Sequence, residues 1–112
     1  MVVYTQLREL SKSMLKKIKI PKSFQGILWS VNVKNLDLTE DKIYIIHQIL
    51  MYGDLDEICW LFKVYSKKEL EKVFEKFPMK IYNRQSFNFI KNIILGLKAR
   101  SISSEKYVTS IY

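Results

Sequence analysis

The sequence predicts an all-α fold, and three observations support this prediction. Apolar residues recur at three- and four-residue spacing along nearly the whole chain, which is the period of a helix with one buried face. Helix-start signals stand directly before several of these runs. Only three glycines and two prolines interrupt 112 residues, so little of the chain is left for long loops. We therefore expect a compact bundle of about five helices with a helix-turn-helix-like C-terminal part.

The first predicted helix covers residues 1–20 and is basic and amphipathic. One face carries apolar residues, and another carries the lysines Lys12, Lys16 and Lys19. Pro21 ends the helix because it lacks a backbone donor. A basic amphipathic helix can lie on a membrane surface, but packing against the domain is the favoured interpretation, so we expect no membrane partner. The three lysines are candidate contact residues.

The stretch from Phe24 to Leu38 is less regular. Gly26 and the β-branched Val31 and Val33 suggest a turn, followed by a short extended segment or a single helical turn. Leu28 and Trp29 are the large apolar residues of this stretch. We expect both of them to be inserted into the core.

Residues 36–97 are predicted to form a four-helix core within a single domain, residues 1–97. Capping-box patterns open three of these helices, at 37–40, 54–57 and 66–69. Gly53 is expected to end the first of them in the left-handed conformation. The second, from 54 to about Tyr65, is apolar on nearly all sides, which predicts a central position.

The fourth helix is predicted to begin after Asn83, a suitable N-cap, and to run to about Leu97. The remaining residues, 98–112, are polar and basic. They are expected to hold one more helical turn capped by Ser103 or Ser104, or to form a loose tail.

The net charge of +8 is spread unevenly along the chain. Residues 1–35 hold seven basic residues and one acid, residues 36–77 hold six basic residues and nine acids, and residues 78–112 hold six basic residues and one acid. Two interpretations remain open. The basic ends dock on the acidic middle, or they face an acidic partner such as nucleic acid or an acidic protein.

Residues that could carry catalysis are almost absent. His47 is the single histidine and lies beside Ile46, which favours helix packing, while the acids at 54, 56 and 57 fit the favourable first turn of a helix. The lone Cys59 has no basic neighbour in sequence. No metal-ligand spacing and no glycine-rich phosphate loop is present. We expect a non-enzyme without cofactor or metal, located in the cytoplasm.

The helix after Asn83 carries a distinctive polar face. At about 100° per residue, five polar side chains share one arc: Arg84, Gln85, Asn88, Lys91 and Asn92. Apolar residues are expected to cover the opposite side: Phe87, Phe89, Ile90, Ile93, Ile94 and Leu97. Arginine, glutamine and asparagine are the side chains that read base edges in the major groove. The alternative is a solvated face or one that meets a protein.

The stretch from Ile27 to about residue 95 resembles a family of small uncharacterised prokaryotic proteins. The residues that carry the likeness are, in chain order, Leu28, Trp29, Leu36, Asp37, Ile49, Leu50, Tyr52, Gly53, Asp54, Trp60, Leu61 and Tyr65. The sequence departs from the family pattern at Ser30, where Asp is usual, and at Gln48, where a basic residue is common. Such proteins are often encoded beside nucleotidyltransferase-like toxins, which implies an antitoxin role.

The sequence thus predicts a binding module whose partner is a toxin-like protein, neutralised by direct binding. The alternative is a helix-turn-helix-like DNA-binding regulator that uses the helix beginning at Arg84. A subunit of another cytoplasmic complex is a third interpretation, and homo-oligomerisation stays open.

Overall fold

The computed structural model describes residues 18–109, and these residues are helical with no β-strand among them. They fall into two compact units, 18–66 and 67–109. This confirms the all-α fold. Four α-helices lie in the described part, where we had expected about five in the whole chain. The predicted helix 1–20 falls mainly on residues outside the description, and the described residues 18–20 are not helical.

The first unit contains helices α1, Lys42–Tyr52, and α2, Leu55–Val64. Short 3-10 helices precede them at Lys22–Gly26 and Val33–Asn35. The second of these is the single helical turn that was one of the two expected alternatives for this stretch. No helix of the described residues is both long and apolar enough to cross a bilayer.

Local capping signals act largely as the sequence predicts. The Asp54 carboxylate accepts hydrogen bonds from the amides of Asp56 and Glu57, and the Glu57 carboxylate accepts one from the Asp54 amide, which completes a capping box. Before α1, Asp37 accepts from two backbone amides of the following turn. The carboxylate that returns to the Asp37 amide belongs to Asp41, at 2.8 Å, and not to the expected glutamate one position earlier.

Helix α1, and not α2, is the buried helix of the first unit. Six consecutive residues of α1, 45–50, are buried, and six residues make more than one full turn. In α2 only Ile58, Leu61 and Val64 are buried, while Leu55 and Cys59 are exposed. The expectation that α2 is central was wrong. The other elements of the unit cover only some of the apolar side chains of α2, and the rest stay at least partly exposed. The buried position of His47 confirms its packing role.

Gly53 ends α1 in an extended conformation, with φ −79° and ψ 157°. The expected left-handed conformation is therefore wrong for this residue. The glycine is needed for space instead: a Cβ there would lie 2.7 Å from the Ile49 carbonyl oxygen and 3.1 Å from the Glu57 Cβ. The same Ile49 carbonyl accepts the Gly53 amide at 2.8 Å, so the turn into α2 is too tight for a side chain.

The second unit contains α3, Lys67–Lys76, and α4, Arg84–Phe89. Asn83 caps α4 as predicted, since its Oδ1 accepts the Ser86 amide at 2.7 Å. The helix then widens into a π-turn, Ile90–Ile94, where the Leu95 amide reaches the Ile90 carbonyl five residues back. Gly96 follows with φ +65°.

The C-terminal stretch of the second unit returns to the start of α4. It holds a 3-10 turn, Ser104–Lys106, followed by an isolated parallel bridge between Tyr82 and Val108. The Tyr82 amide donates to the Tyr107 carbonyl at 2.9 Å, and the Thr109 amide donates to the Tyr82 carbonyl at 3.0 Å. These bonds place the ring of Tyr107 in the interior, where it is 1% exposed.

Four aromatic rings form the core of the second unit. Phe74 stacks with Tyr107 at 4.7 Å between centroids, and Phe87 and Tyr82 each lie 5.9 Å from Phe74. The Tyr107 hydroxyl donates to the Phe74 carbonyl. In a continuing helix that carbonyl would accept from residue 78, but Pro78 has no N–H to donate. Tyr107 therefore supplies the donor that the proline removes.

Burial also controls the ionisation of these tyrosines. It raises the pKa of Tyr82 well above its ordinary value of 10.0, and the neighbouring Tyr107 phenol adds to the rise. Burial, with a smaller contribution from the Glu75 carboxylate, raises the pKa of Tyr107 to about 12. Below pH 10 both states of the protein keep neutral phenols. Above pH 10 the two phenols ionise more readily in the unfolded chain than in the folded protein. The free energy of unfolding therefore falls as the pH rises from 10 towards 12.

Gly53→Ala is expected to lower the free energy of unfolding by about 1–3 kcal/mol, because the new methyl group overpacks against the Ile49 carbonyl. The measurement is urea denaturation followed by circular dichroism. Gly26→Ala is the matched control, since nothing lies within 4 Å of a Cβ there, and it should be neutral or slightly stabilising. Equal effects of the two substitutions would contradict the steric account.

Tyr107→Phe is expected to lower the free energy of unfolding by about 1–3 kcal/mol at pH 7, because the Phe74 carbonyl loses its donor. The further loss of stability above pH 10 should become shallower, since one shifted phenol is gone. Urea titrations across the alkaline range measure both effects. Tyr52→Phe, at an exposed position, should leave the stability at pH 7 unchanged. A Tyr107→Phe protein as stable as the parent at pH 7 would refute the assignment.

Candidate functional site: an exposed aromatic surface

Trp29 is the most conspicuous exposed side chain of the first unit. It is 56% exposed, whereas we had expected it in the core; its neighbour Leu28 is fully buried as predicted. The Trp29 ring packs edge-to-face on Tyr52, with centroids 4.8 Å apart, and Tyr52 is itself 45% exposed. The expectation for Trp29 was wrong: residues 27–31 form turns and bends, and the burial of Leu28 does not extend to the next residue.

Other apolar side chains are exposed close to this pair in the sequence. Val31 lies two residues after Trp29, and Leu55, which is 65% exposed, lies three residues after Tyr52. We call the contacting pair of Trp29 and Tyr52 the Trp29 surface. Exposed apolar groups mark interaction sites when they are contiguous, as the Trp29 and Tyr52 rings are. Tryptophan and tyrosine are also over-represented among the residues that dominate binding energy at interfaces.

The side chain of Gln25 holds the backbone that presents Trp29. Its Nε2 donates to the carbonyls of Leu28, at 2.9 Å, and Val31, at 3.0 Å. Its Oε1 accepts the Val33 amide at 3.0 Å. The segment between these residues has no continuous helical ladder, so its polar backbone groups need other partners. One carboxamide supplies three of them.

Two further contacts fix this segment on α1. The Gln48 Nε2, on a residue that is 4% exposed, donates to the Ile27 carbonyl at 3.0 Å. The Tyr44 hydroxyl accepts the Ser30 amide at 3.2 Å. The Ser30 bond is made by its backbone amide and the Gln48 bond by its side chain, so α1 holds the segment at two points. Trp29 is exposed on a backbone that is held in place on both sides.

The five residues of the predicted polar face lie in two kinds of helical turn. Arg84, Gln85 and Asn88 are exposed and lie in the α-helical part. Lys91 and Asn92 lie in the π-turn, are half-buried, and are hydrogen-bonded to each other at 3.3 Å. The angular spacing of 100° per residue no longer holds from Ile90 onward, because a π-turn contains more residues than an α-turn.

The apolar side of this helix also differs from the expectation. Phe87, Ile90 and Leu97 are buried as predicted, but Phe89 and Ile93 are exposed. The connector from α3 to α4, residues 77–83, is longer than the three- or four-residue turn of a helix-turn-helix motif.

Of the three candidate lysines of the N-terminal segment, one lies among the described residues. Lys12 and Lys16 lie outside the described residues, and Lys19 is exposed. Lys19 lines a cavity together with Lys22 and with residues in and just after the Val33–Asn35 turn. No group of three or more metal-ligating side chains occurs within residues 18–109.

Comparison with known protein families matches residues 24–74 to a family of unknown function, DUF6922. The match is a little under half of the chain. It includes the Trp29 surface, the Gln25 side chain and helices α1 and α2, and it ends before the polar face of α4. No curated protein and no solved structure gives a significant match.

Proposed function

We propose that the chain is a non-enzymatic protein-binding module that works in the cytoplasm and docks through the Trp29 surface. The observation that carries this proposal is an exposed, paired tryptophan on a backbone segment fixed by the Gln25 and Gln48 side chains. A large aromatic group that is already ordered before binding loses little conformational freedom on docking. The free-energy cost of ordering this side chain on binding is then small, so the complex is tighter.

The more specific form of the proposal is an antitoxin-like protein that neutralises a nucleotidyltransferase-type toxin by direct binding. The resemblance of residues 27–95 to small prokaryotic proteins encoded beside such toxins supports it. Physically, the aromatic anchors would be buried against the toxin, and the basic ends of the chain would meet the acidic residues of a metal-dependent active site.

Trp29→Ala is expected to weaken capture of the product of the neighbouring gene by at least about tenfold, because truncating a central aromatic anchor costs about 2 kcal/mol or more. The measurement is co-purification after co-expression of the two proteins, with relief of growth arrest as a second readout.

Ile93→Ala is the matched control, since Ile93 is a similarly exposed apolar residue in the second unit, and it should bind like the parent. Undiminished capture by Trp29→Ala would refute docking through the Trp29 surface. Failure of the parent chain to relieve growth arrest would refute the antitoxin role.

The second candidate function is DNA binding by α4. The exposed position of Arg84, Gln85 and Asn88 on one side of a capped helix favours it. These three side chains can make paired hydrogen bonds to guanine or adenine edges.

Arg84→Ala is expected to weaken binding to the protein's own promoter by about 1–3 kcal/mol and to relax specificity at one base position. Gel-shift titrations over a series of salt concentrations measure this, and binding should fall steeply with salt. Lys98→Ala, an exposed basic position outside α4, should cause only a small loss that is uniform across sequences. The absence of any complex at low salt would eliminate DNA binding.

A further inference from the structure

A concave site of about 410 Å³ lies within the first unit, apart from the residues of the Trp29 surface. Two short stretches line it, one running from residue 18 to residue 22 and the other from residue 33 to residue 36. Its volume is within the range of about 300–1,000 Å³ that is usual for ligand pockets. The lining contains two chemical types, lysines and aliphatic residues, which together restrict what can bind.

Three lysines supply the charge of this site: Lys19, Lys22 and Lys34. All three are exposed, and none forms an ion pair with a carboxylate of residues 18–109. No described acidic residue lines the site. Three cations around one concavity create a positive potential that favours an anionic group.

The rest of the lining is aliphatic and includes Ile20, Val33 and Leu36. Val33 is buried and the other two are half-buried. A phosphate backbone has no apolar group to place against such residues, and single-stranded nucleic acid is bound by stacking on aromatic rings. The described lining has no aromatic residue. The ligand that fits must combine anionic groups with aliphatic ones.

One wall of the site is fixed by hydrogen bonds. The Val33–Asn35 turn is capped by Asn32, whose Oδ1 accepts the Lys34 amide at 3.0 Å. The Val33 amide is held by the Gln25 side chain. A ligand therefore meets a backbone at Val33 and Lys34 that is set before it binds.

We propose that this site binds an acidic, aliphatic segment of a protein partner. The carboxylates of the segment pair with the three lysines, and its aliphatic side chains pack on Val33 and Leu36. The inference rests on the proposed protein-binding role and adds the chemistry of a second contact region on the partner. Lysines can follow several carboxylate positions because their ammonium groups are mobile point charges.

The test is a nuclear magnetic resonance titration of the isotope-labelled full chain with a blocked tetrapeptide, Glu-Leu-Glu-Leu. The amide signals of Val33, Lys34 and Leu36 should shift and saturate. Lys34→Glu should weaken the binding at least about tenfold. Lys63→Glu reverses an exposed charge elsewhere in the same unit and should leave the affinity unchanged.

Three outcomes would overturn the inference: no saturable shifts, the same shifts with Lys-Leu-Lys-Leu, or equal or stronger binding of a short oligothymidylate, which would mark a nucleic-acid site. If the peptide fails while capture of a partner still depends on Trp29, the inference alone is lost. If the peptide binds and Trp29 has no effect on capture, the docking proposal fails instead.

Discussion

The carboxamide of Gln25 is the interaction on which both proposed binding regions depend. Residues 27–32 run between two 3-10 turns without a regular hydrogen-bond ladder, and a backbone of this kind is stable only if its polar groups find partners. Gln25 bonds to Leu28, Val31 and Val33 at once. The position of Trp29 and the wall of the lysine-rich site both follow from these three bonds.

Apolar packing holds the segment that carries Trp29 against helices α1 and α2. Leu28 is fully buried, and Phe24 lies edge-to-face on Trp60 with centroids 5.0 Å apart. Between these two apolar anchors, Gln48 of α1 holds the Ile27 carbonyl. Buried polar groups that are fully bonded favour one arrangement over its competitors. In this chain the arrangement so favoured leaves Trp29 exposed, which is the basis of the proposed docking.

The sequence predicted the features that depend on a few neighbouring residues. The capping box at Asp54 and the cap at Asn83 were both confirmed, because a cap needs only one side chain and the next three amides. Burial was harder to predict. Helix α2 looked central because of its composition, yet α1 is the buried helix even though it contains His47 and Gln48, since tertiary bonds can satisfy polar groups that a pattern counts as exposed.

The remaining failures have a common physical cause, which is geometry that arises only in the folded chain. The π-turn at Ile90–Ile94, which contains Lys91 and Asn92, was not predicted, because nothing in its local spacing distinguishes it from an α-turn. Gly53 was identified as a necessary glycine for the wrong reason: the cause is the 2.7 Å approach to a carbonyl, not the sign of φ. No spacing rule points to Gln25, because its three partners are backbone groups.

The measurement that tests the account most directly is hydrogen exchange of the Val33 amide. If Gln25 fixes the segment, this amide should be protected in the parent chain. Gln25→Ala should increase its exchange rate about five- to tenfold, the equivalent of about 1–1.4 kcal/mol for one hydrogen bond. The Asn35 amide, bonded to the Asn32 carbonyl at 2.8 Å, should change little. A Val33 amide that exchanges in the parent at the rate of an unstructured peptide would contradict the central claim that Trp29 is presented by a preformed segment.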